Sequence, residues 1–333
     1  MESCFEEPRL IAMDTVKIRG SNPAPITAII NPAAGRGRAA RAWTNIQAHL
    51  SEPVETHQTD APGHASRLTA QAIKRGADTI VAVGGDGTIN EVVNGFFEDD
   101  KLISDRAMLG IVPHGTGSDF IKMLSLPQDQ QKAAMLVEAR RPSEMDVLKV
   151  RYTTVDGISA SRYSINITSF GMGAMVASRV NRSSKLFGRK LSYMLALMRT
   201  AITFSGNSVL ISIDDGRTTE AKVTTVAVGN GRYQGGGMLM CPRAVVDDGL
   251  LDVTLVEFLR IPELIRNLPM LYNGEIYRHP KVQVLQVKRL RADSKELVPI
   301  EIDGEAVGWL PVEISIVPRV MRVLFAPSSA RSV

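Results

Sequence analysis

The chain has 333 residues, room for two domains at about 150 residues each, and its 44% hydrophobic and 22% charged residues exclude a fibrous or disordered polymer. A formal charge of +4, drawn from 39 basic and 35 acidic residues mixed along the chain, is too mild to indicate nucleic acid. Two distant cysteines, Cys4 and Cys241, exclude a disulfide framework, and five histidines without H-x-x-x-H spacing argue against a histidine-held zinc, so a reducing, cytoplasmic setting with any metal held by oxygen is expected.

Residues 1–22 carry little periodicity and are expected to form a flexible leader. The first residues are acidic and lack an apolar core, and no window of 18 apolar residues follows, so neither a signal peptide nor a spanning helix is supported and membrane contact is expected to be peripheral. An apolar strand at 25–30 ends in the small-residue loop Asn31-Pro32-Ala33-Ala34-Gly35-Arg36-Gly37-Arg38, and Ala39 to Leu50 reads as a helix. Residues 64–75 form a further helix. The buried-strand run 79–83 then opens into Gly84-Gly85-Asp86-Gly87, with a helix from Thr88 to about Phe97. A third unit repeats the order, with a strand at 108–113, a polar turn from His114 to Asp119, and a short helix from Phe120 closed by Pro127. Strand, loop and helix recurring at this spacing predict a doubly wound α/β nucleotide-binding domain over residues 23–142.

Beyond Arg141-Pro142 the texture changes to runs rich in Val, Ile and Thr, at 146–151, 163–169, 208–214, 222–228, 251–257, 281–288, 298–303 and 312–317. They predict a mostly antiparallel β-sandwich domain over 143–327, interrupted by helical inserts from about Met175 to Thr203 and from Pro262 to Tyr272, with a last strand that returns to the first domain.

Glycine-rich turns between a strand and a helix bring backbone N–H groups and the positive helix end to one point, which suits phosphate, and three such loops in one sheet make a nucleotide site. Gly84, Gly85 and Gly87 permit positive φ and close approach, while Thr88 can cap its helix or donate to phosphate. Asp86 has two readings: a carboxylate satisfying its own turn, or one working through a divalent cation or accepting a proton. Arg36 and Arg38 are surface charges or phosphate contacts, and Asp119 caps a helix start or adds a second carboxylate to the site. The segment Leu186 to Arg199 has apolar residues at helical spacing with cations at its edge; it packs on the second domain's sheet, or else lines an acyl-chain groove or rests on a membrane.

In this order, Asn31-Pro32-x-x-Gly35, Gly84-Gly85-Asp86-Gly87-Thr88-x-Asn90-Glu91 and Gly115-Thr116-x-x-Asp119-Phe120 resemble the catalytic domain of the diacylglycerol kinase family, especially its bacterial lipid kinases. Gly229-Asn230-Gly231 with Gly235-Gly236-Gly237, Pro242 through Asp252, and Asp303-Gly304-Glu305 extend the resemblance, which spans about residues 24 to 327. The resemblance implies ATP in a cleft between the two domains, held by Asn31, Pro32, Ala33, Ala34 and Gly35, by Thr59, by Gly85, Asp86, Gly87, Thr88, Ile89, Asn90 and Glu91, and by Thr116. It implies Mg²⁺ on the Asp248 carboxylate and the carbonyls of Val245 and Leu250, although Asp247-Asp248-Gly249 also reads as a plain β-turn. Glu305 is implied as the general base, with Asp86 and Asp119 organising metal and phosphates; Asp303-Gly304 is at the same time a strong hairpin-turn signal. Two positions depart from the family's pattern: Ser118 stands where asparagine is usual, and His114 where an apolar residue is common.

The expected activity is that of an ATP-dependent lipid kinase acting on a lipid alcohol such as diacylglycerol. The alternatives are an NAD kinase-like enzyme and a catalytically silent lipid-binding protein. A homodimer through edge strands is also open.

Overall fold

The computed structural model describes residues 25–325 except 115–118, 125, 128, 183–188 and 215, and gives the backbone alone at 36, 181, 182, 189–194 and 217. The expected leader at 1–22 therefore lies outside the described residues.

The N-terminal half runs β1 (Ile26–Ile30), α1 (Ala39–Gln47), β2 (Val54–Gln58), α2 (His64–Lys74), β3 (Thr79–Gly84), α3 (Asp86–Asn94), β4 (Met108–Pro113), α4 (Ile121–Leu124) and α5 (Gln130–Ala139). β1 pairs in parallel with β2 and β3, and β3 with β4. Alternation along the strands feeds two cores, as a doubly wound sheet requires. Ile26, Ala28, Ile30, Val81 and Val83 face Trp43 and Ile46 of α1 and Val137 of α5. Ile29, Ile80, Ala82 and Ile111 face the other way, onto Ile73 of α2 and Ile89 and Val92 of α3.

The C-terminal half continues with β5 (Ser143–Thr154), β6 (Ser159–Ser164), β7 (Ile167–Gly171), α6 (Met172–Arg182), α7 (Arg189–Thr203), β8 (Asn207–Ile213), β9 (Arg217–Gly229), β10 (Leu251–Glu257), α8 (Ile261–Asn267), α9 (Met270–Asn273), β11 (Val282–Val287), β12 (Arg289–Asp293), β13 (Pro299–Ile302) and β14 (Glu305–Val323). Its pairings are antiparallel, and its strands enclose an apolar interior that includes Val150, Phe170, Val226, Val253, Ile300 and Ile314. A second apolar layer, with Met172, Val176, Leu197, Met238 and Leu264, lies between the sheet and helices α6, α7 and α8.

β14 crosses between the halves. It pairs with β5 from Gly308↔Thr154 to Val323↔Ser143, and its last residues lie parallel to β4 through Arg322↔Met108 and Val323↔Leu109. These fourteen strands thus share one branched sheet, and two short two-stranded ribbons, at 97–102 and 233–239, lie apart from it among the described residues.

Several elements differ from the sequence expectation, each for a reason the structure shows. The run 163–169 is two strands, β6 and β7, because the intervening amides of Ile165 and Asn166 turn to the Asp303 carboxylate. The run 281–288 likewise ends at Val287, where Lys288 and Arg289 both donate their N–H to Asp214 Oδ1 at 2.9 Å, and β12 follows without having been expected. The second helical insert divides at Pro269, which has no N–H to continue α8. Helix α5 was not expected either, although Asp129 caps it by accepting from Lys132 N at 2.9 Å.

Gly308 has no room for a side chain beside β5: a Cβ there would run into the Thr153 carbonyl. Gly308→Ala should therefore force the strands apart and cost about 1–3 kcal/mol, read as a lower midpoint in urea-induced unfolding.

Candidate active site

The parallel strands β1, β2, β3 and β4 end side by side, and Asn31, Thr59, Gly85 and His114 follow their last residues or lie one step beyond. This carboxyl edge is where open α/β sheets bind ligands. Asn31 Nδ2 donates to Thr88 Oγ1 at 3.1 Å, Asn31 Oδ1 accepts from Ala33 N at 3.0 Å, and Thr59 N donates to Ile30 O at 2.8 Å, so the first two loops are tied to strand ends and to α3. Arg38 clamps the first loop by donating from Nε to Gly35 O at 3.0 Å; the Arg36 side chain lies outside the described residues. Gly35, at φ 60°, sits beneath His114, whose carbonyl oxygen would lie 3.2 Å from a Cβ. The His114 ring meanwhile donates from Nδ1 to the Pro113 carbonyl at 2.5 Å.

The glycines of the second loop serve a purpose other than positive φ, which none of Gly84, Gly85 and Gly87 adopts. What they provide is proximity. A Cβ on Gly84 would lie 2.6 Å from Thr88, and one on Gly87 would lie 3.2 Å from Glu305 Oε1. Helix α3 begins at Asp86 rather than Thr88, with Gly85 extended as its N-cap, so Asp86 lies in the first turn beside the positive helix end. Thr88 accepts from Asn31 instead of capping. Two members of the expected set turn away from the loops. Ile89 is fully buried in the core, and Glu91 Oε2 accepts from Ala65 N at 3.1 Å, which satisfies the first turn of α2.

Glu305 opens β14 at the end of a hairpin and reaches α3 across the two halves. Arg162 of β6 meets it, with Nη1 2.8 Å from Glu305 Oε2, and donates from Nε to Asn90 Oδ1 at 2.9 Å. Asn90 Nδ2 in turn donates to Asp303 Oδ2 at 2.6 Å and to the Tyr163 carbonyl at 2.9 Å. Asp303 Oδ1 accepts from Ser164 Oγ and from the amides of Asn166 and Ile167, and Oδ2 from the amide of Ile165, at 2.7 to 3.1 Å. Burial raises the Asp303 pKa above the ordinary carboxylate value; the bonds from Ser164, Ile165, Asn90 and Asn166 pull it back.

Asp119 closes the other side. Its N–H lies 3.4 Å from Asp86 Oδ2, Lys122 Nζ stands 3.1 Å from Oδ1, and Gly236 N donates to Oδ2 at 2.7 Å. The loop Gly235-Gly236-Gly237, positive in φ at all three residues, is thereby held to the N-terminal half. Thr116 and Ser118 lie outside the described residues.

Asp248 is exposed and accepts from Leu250 N at 3.0 Å. Burial raises its pKa, and the neighbouring charges of Asp146 and Asp247 add to the rise. Asp146, fully buried in β5, accepts from Gly249 N at 2.7 Å and Arg319 N at 2.6 Å, with its own pKa pushed up chiefly by burial. Asp252, two residues past Leu250, is pushed up to about 6, again mainly by burial. An oxygen-only donor set crowded with carboxylates fits a hard divalent cation, whose charge would relieve the crowding. Among the described residues no group of three or more His, Cys, Asp or Glu side chains is arranged as a metal cage, so a cation at Asp248 would rely on backbone carbonyls and water.

Between the sheet and helices α6 to α9 opens an apolar cavity walled by residues such as Met172, Leu197, Met240, Leu264 and Leu271. Ser169, Gln234 and Glu301 form a buried polar cluster on the same side of the sheet: Gln234 lines the cavity and donates to Glu301 and to Ser169 Oγ, and Ser169 donates to Glu301 at 2.9 Å. Of the expected segment 186–199, residues 186–188 lie outside the described residues; Ala196 and Leu197 pack inward, whereas Leu195 is exposed. No helix among the described residues is long and apolar enough to cross a membrane.

Sequence reasoning missed Arg162 and Asp146. Arg162 stands in a polar strand with nothing to distinguish it, but Asp146 breaks the apolar run Met145-Asp146-Val147-Leu148 at a core position, and that interruption was the available signal.

Residues 25–150 match the family described as diacylglycerol kinase catalytic domain, and residues 166–325 match the YegS C-terminal NAD kinase beta sandwich-like domain. A diacylglycerol kinase of Mycobacterium tuberculosis (strain ATCC 25618 / H37Rv) is 28% identical over 317 residues, covering 94% of this chain and 98% of the relative. A Xanthomonas oryzae pv. oryzae protein named as a YegS-like lipid kinase is 29% identical over 271 residues, or 81% of this chain and 86% of the relative. The crystal structure of a diacylglycerol kinase from Bacillus anthracis str. Sterne shares the fold at a TM-score of 0.66 and 22% identity, over 93% of this chain and 99% of that one.

Removing the Asp303 carboxylate would strand the buried amides of Ile165, Asn166 and Ile167 together with Asn90. At about 1–3 kcal/mol for an unsatisfied buried group, Asp303→Ala should lose at least about 3 kcal/mol of unfolding free energy, measurable by denaturant titration.

Proposed function

The chain belongs to the diacylglycerol kinase catalytic-domain family, and from that premise we propose that it transfers the γ-phosphoryl group of ATP to the hydroxyl of a lipid alcohol, diacylglycerol or a related acceptor. The observation that carries the reading is the approach of Glu305 to Gly87, which sets a carboxylate from the C-terminal half against the glycine loop of the N-terminal half.

Phosphoryl transfer asks a protein chiefly for positioning and for stabilisation of charge. Asn31 to Gly35, Thr59 and the start of α3 bring a small-residue loop, a hydroxyl and a helix end to one edge of the sheet, where they hold the phosphates. ATP, when bound, supplies the γ-phosphorus, to which the acceptor oxygen bonds as the bond to the ADP oxygen breaks. Glu305 takes the proton from that acceptor hydroxyl, leaving a neutral carboxyl group that returns the proton to solvent. Asp86 orients the phosphate side of the site from the first turn of α3, and Asp119 keeps the third loop joined to Gly236. Asp248, with the carbonyls of Val245 and Leu250, would hold Mg²⁺, which supplies positive charge near the crowded carboxylates.

The cavity behind α6 and α7 gives the acceptor's acyl chain an apolar berth, an interior that NAD or a sugar phosphate would not need. Peripheral contact with a bilayer belongs to the same proposal. Leu195 and Ile202 of α7 and Ile265 of α8 are exposed apolar side chains on helices whose other faces wall the cavity.

Label from γ-labelled ATP, offered a panel of lipid alcohols, NAD and sugar phosphates, should appear in the lipid fraction; label confined to NAD or a sugar would overturn the proposal. Glu305→Gln should cut lipid phosphorylation by about 10²–10⁴-fold while ATP binding by calorimetry stays within a few-fold.

A further inference from the structure

We propose that Arg162 is a positioning residue for the reaction, a guanidinium that fixes the Glu305 carboxylate over the first turn of α3 and ties its position to Asn90. The proposal rests on the reading of Glu305 as proton acceptor.

Four observations converge on it. Arg162 reaches two partners at once, Glu305 Oε2 at 2.8 Å from Nη1 and Asn90 Oδ1 at 2.9 Å from Nε. Asn90 is not free to rotate: its Nδ2 is spent on Asp303 and on the Tyr163 carbonyl, so its Oδ1 must face donors, which are Arg162 and Asn94. Asn90 belongs to the same helix whose first turn carries Asp86, so the orientation of the guanidinium is inherited from the nucleotide side of the site. Finally, the other carboxylate oxygen, Glu305 Oε1, lies where Gly87 leaves room for it.

A glutamate side chain has three rotatable bonds, and at 43% exposure Glu305 would otherwise wander. Arg162, at 20%, is the more sheltered member, which sets this pair apart from a solvent-exposed ion pair of negligible value. Only a planar fork meets both partners: an ammonium could approach Glu305 or Asn90, but not both with good geometry. Misplacing a reacting group by about 1 Å can cost on the order of 10²-fold in rate. Arg162 therefore acts on the chemical step through Glu305 and leaves nucleotide affinity to the loops.

The test uses the full chain with γ-labelled ATP and micellar dioleoylglycerol, comparing Arg162→Met, Arg162→Lys, Glu305→Gln and the double variant Arg162→Met/Glu305→Gln. Arg162→Met should lower kcat on the order of 10²-fold with KM for ATP held within about twofold, and added guanidinium ion should restore part of the loss. Arg162→Lys, which keeps the charge and guards against a folding defect in the methionine variant, should fall about tenfold in kcat with an unchanged thermal midpoint. The double variant should be no slower than Glu305→Gln alone, since the arginine has nothing left to position. Wild-type kcat in Arg162→Met or Arg162→Lys, a loss confined to KM for ATP, or an additive loss in the double variant would each overturn the proposal. Full activity in Glu305→Gln is a different result: it removes Glu305 from the chemistry, and with it the premise.

Discussion

The architecture of the site depends on one buried carboxylate. Asp303 gathers the amides of Ile165, Asn166 and Ile167, the Ser164 hydroxyl and the Asn90 amide group, and so joins the hairpin that presents Glu305 to two strands and to helix α3. A carboxylate in such surroundings is tolerable only because nearly every lone pair finds a donor, and its raised pKa records the desolvation that those bonds offset. Satisfying it needs residues from both halves of the chain, so the position of Glu305 relative to the glycine loop is fixed by the fold itself. Asp119 does the same on the opposite side, where a carboxylate in the N-terminal half accepts from Gly236 in the C-terminal half.

Much of the molecule was legible in the sequence because its signals were local. Strand, loop and helix in series define the parallel sheet, since buried runs such as 79–83 and the turns after them need no tertiary information. Alternating strands likewise announce the second half. Failures came where a side chain distant in sequence decided the outcome: β6 and β7 are separate strands because Asp303 claims the amides between them, and β11 ends because Asp214 claims those of Lys288 and Arg289. Periodicity cannot register a hydrogen bond from 74 or more residues away.

The site shows the same division. Its glycine loops were readable because glycines near strand ends carry a mechanism, yet of the two features expected of Gly84, Gly85 and Gly87 none adopts positive φ, and the close approaches at Gly84 and Gly87 are those of Thr88 and Glu305. Glu91 and Ile89 belong to the motif as letters, but one satisfies a neighbouring helix and the other fills the core. Motif membership therefore marks a region, and only the geometry says which side chains in it face the ligand. Arg162 is the reverse case, a residue without motif value that contacts two members of the site.

The long ladder between β5 and β14 has a mechanical consequence. It runs from the sandwich, at Gly308 and Thr154, to the edge of the parallel sheet, at Val323 and Ser143, and it breaks step twice on the way, between Trp309 and Val312 and between Val317 and Met321. A kinase whose lobes swing on a flexible strap can close over its substrates by rotation; here such a swing would shear a two-stranded ribbon. Motion of one half against the other would have to be taken up where the ladder breaks step, beside Arg319 with its φ of 50°.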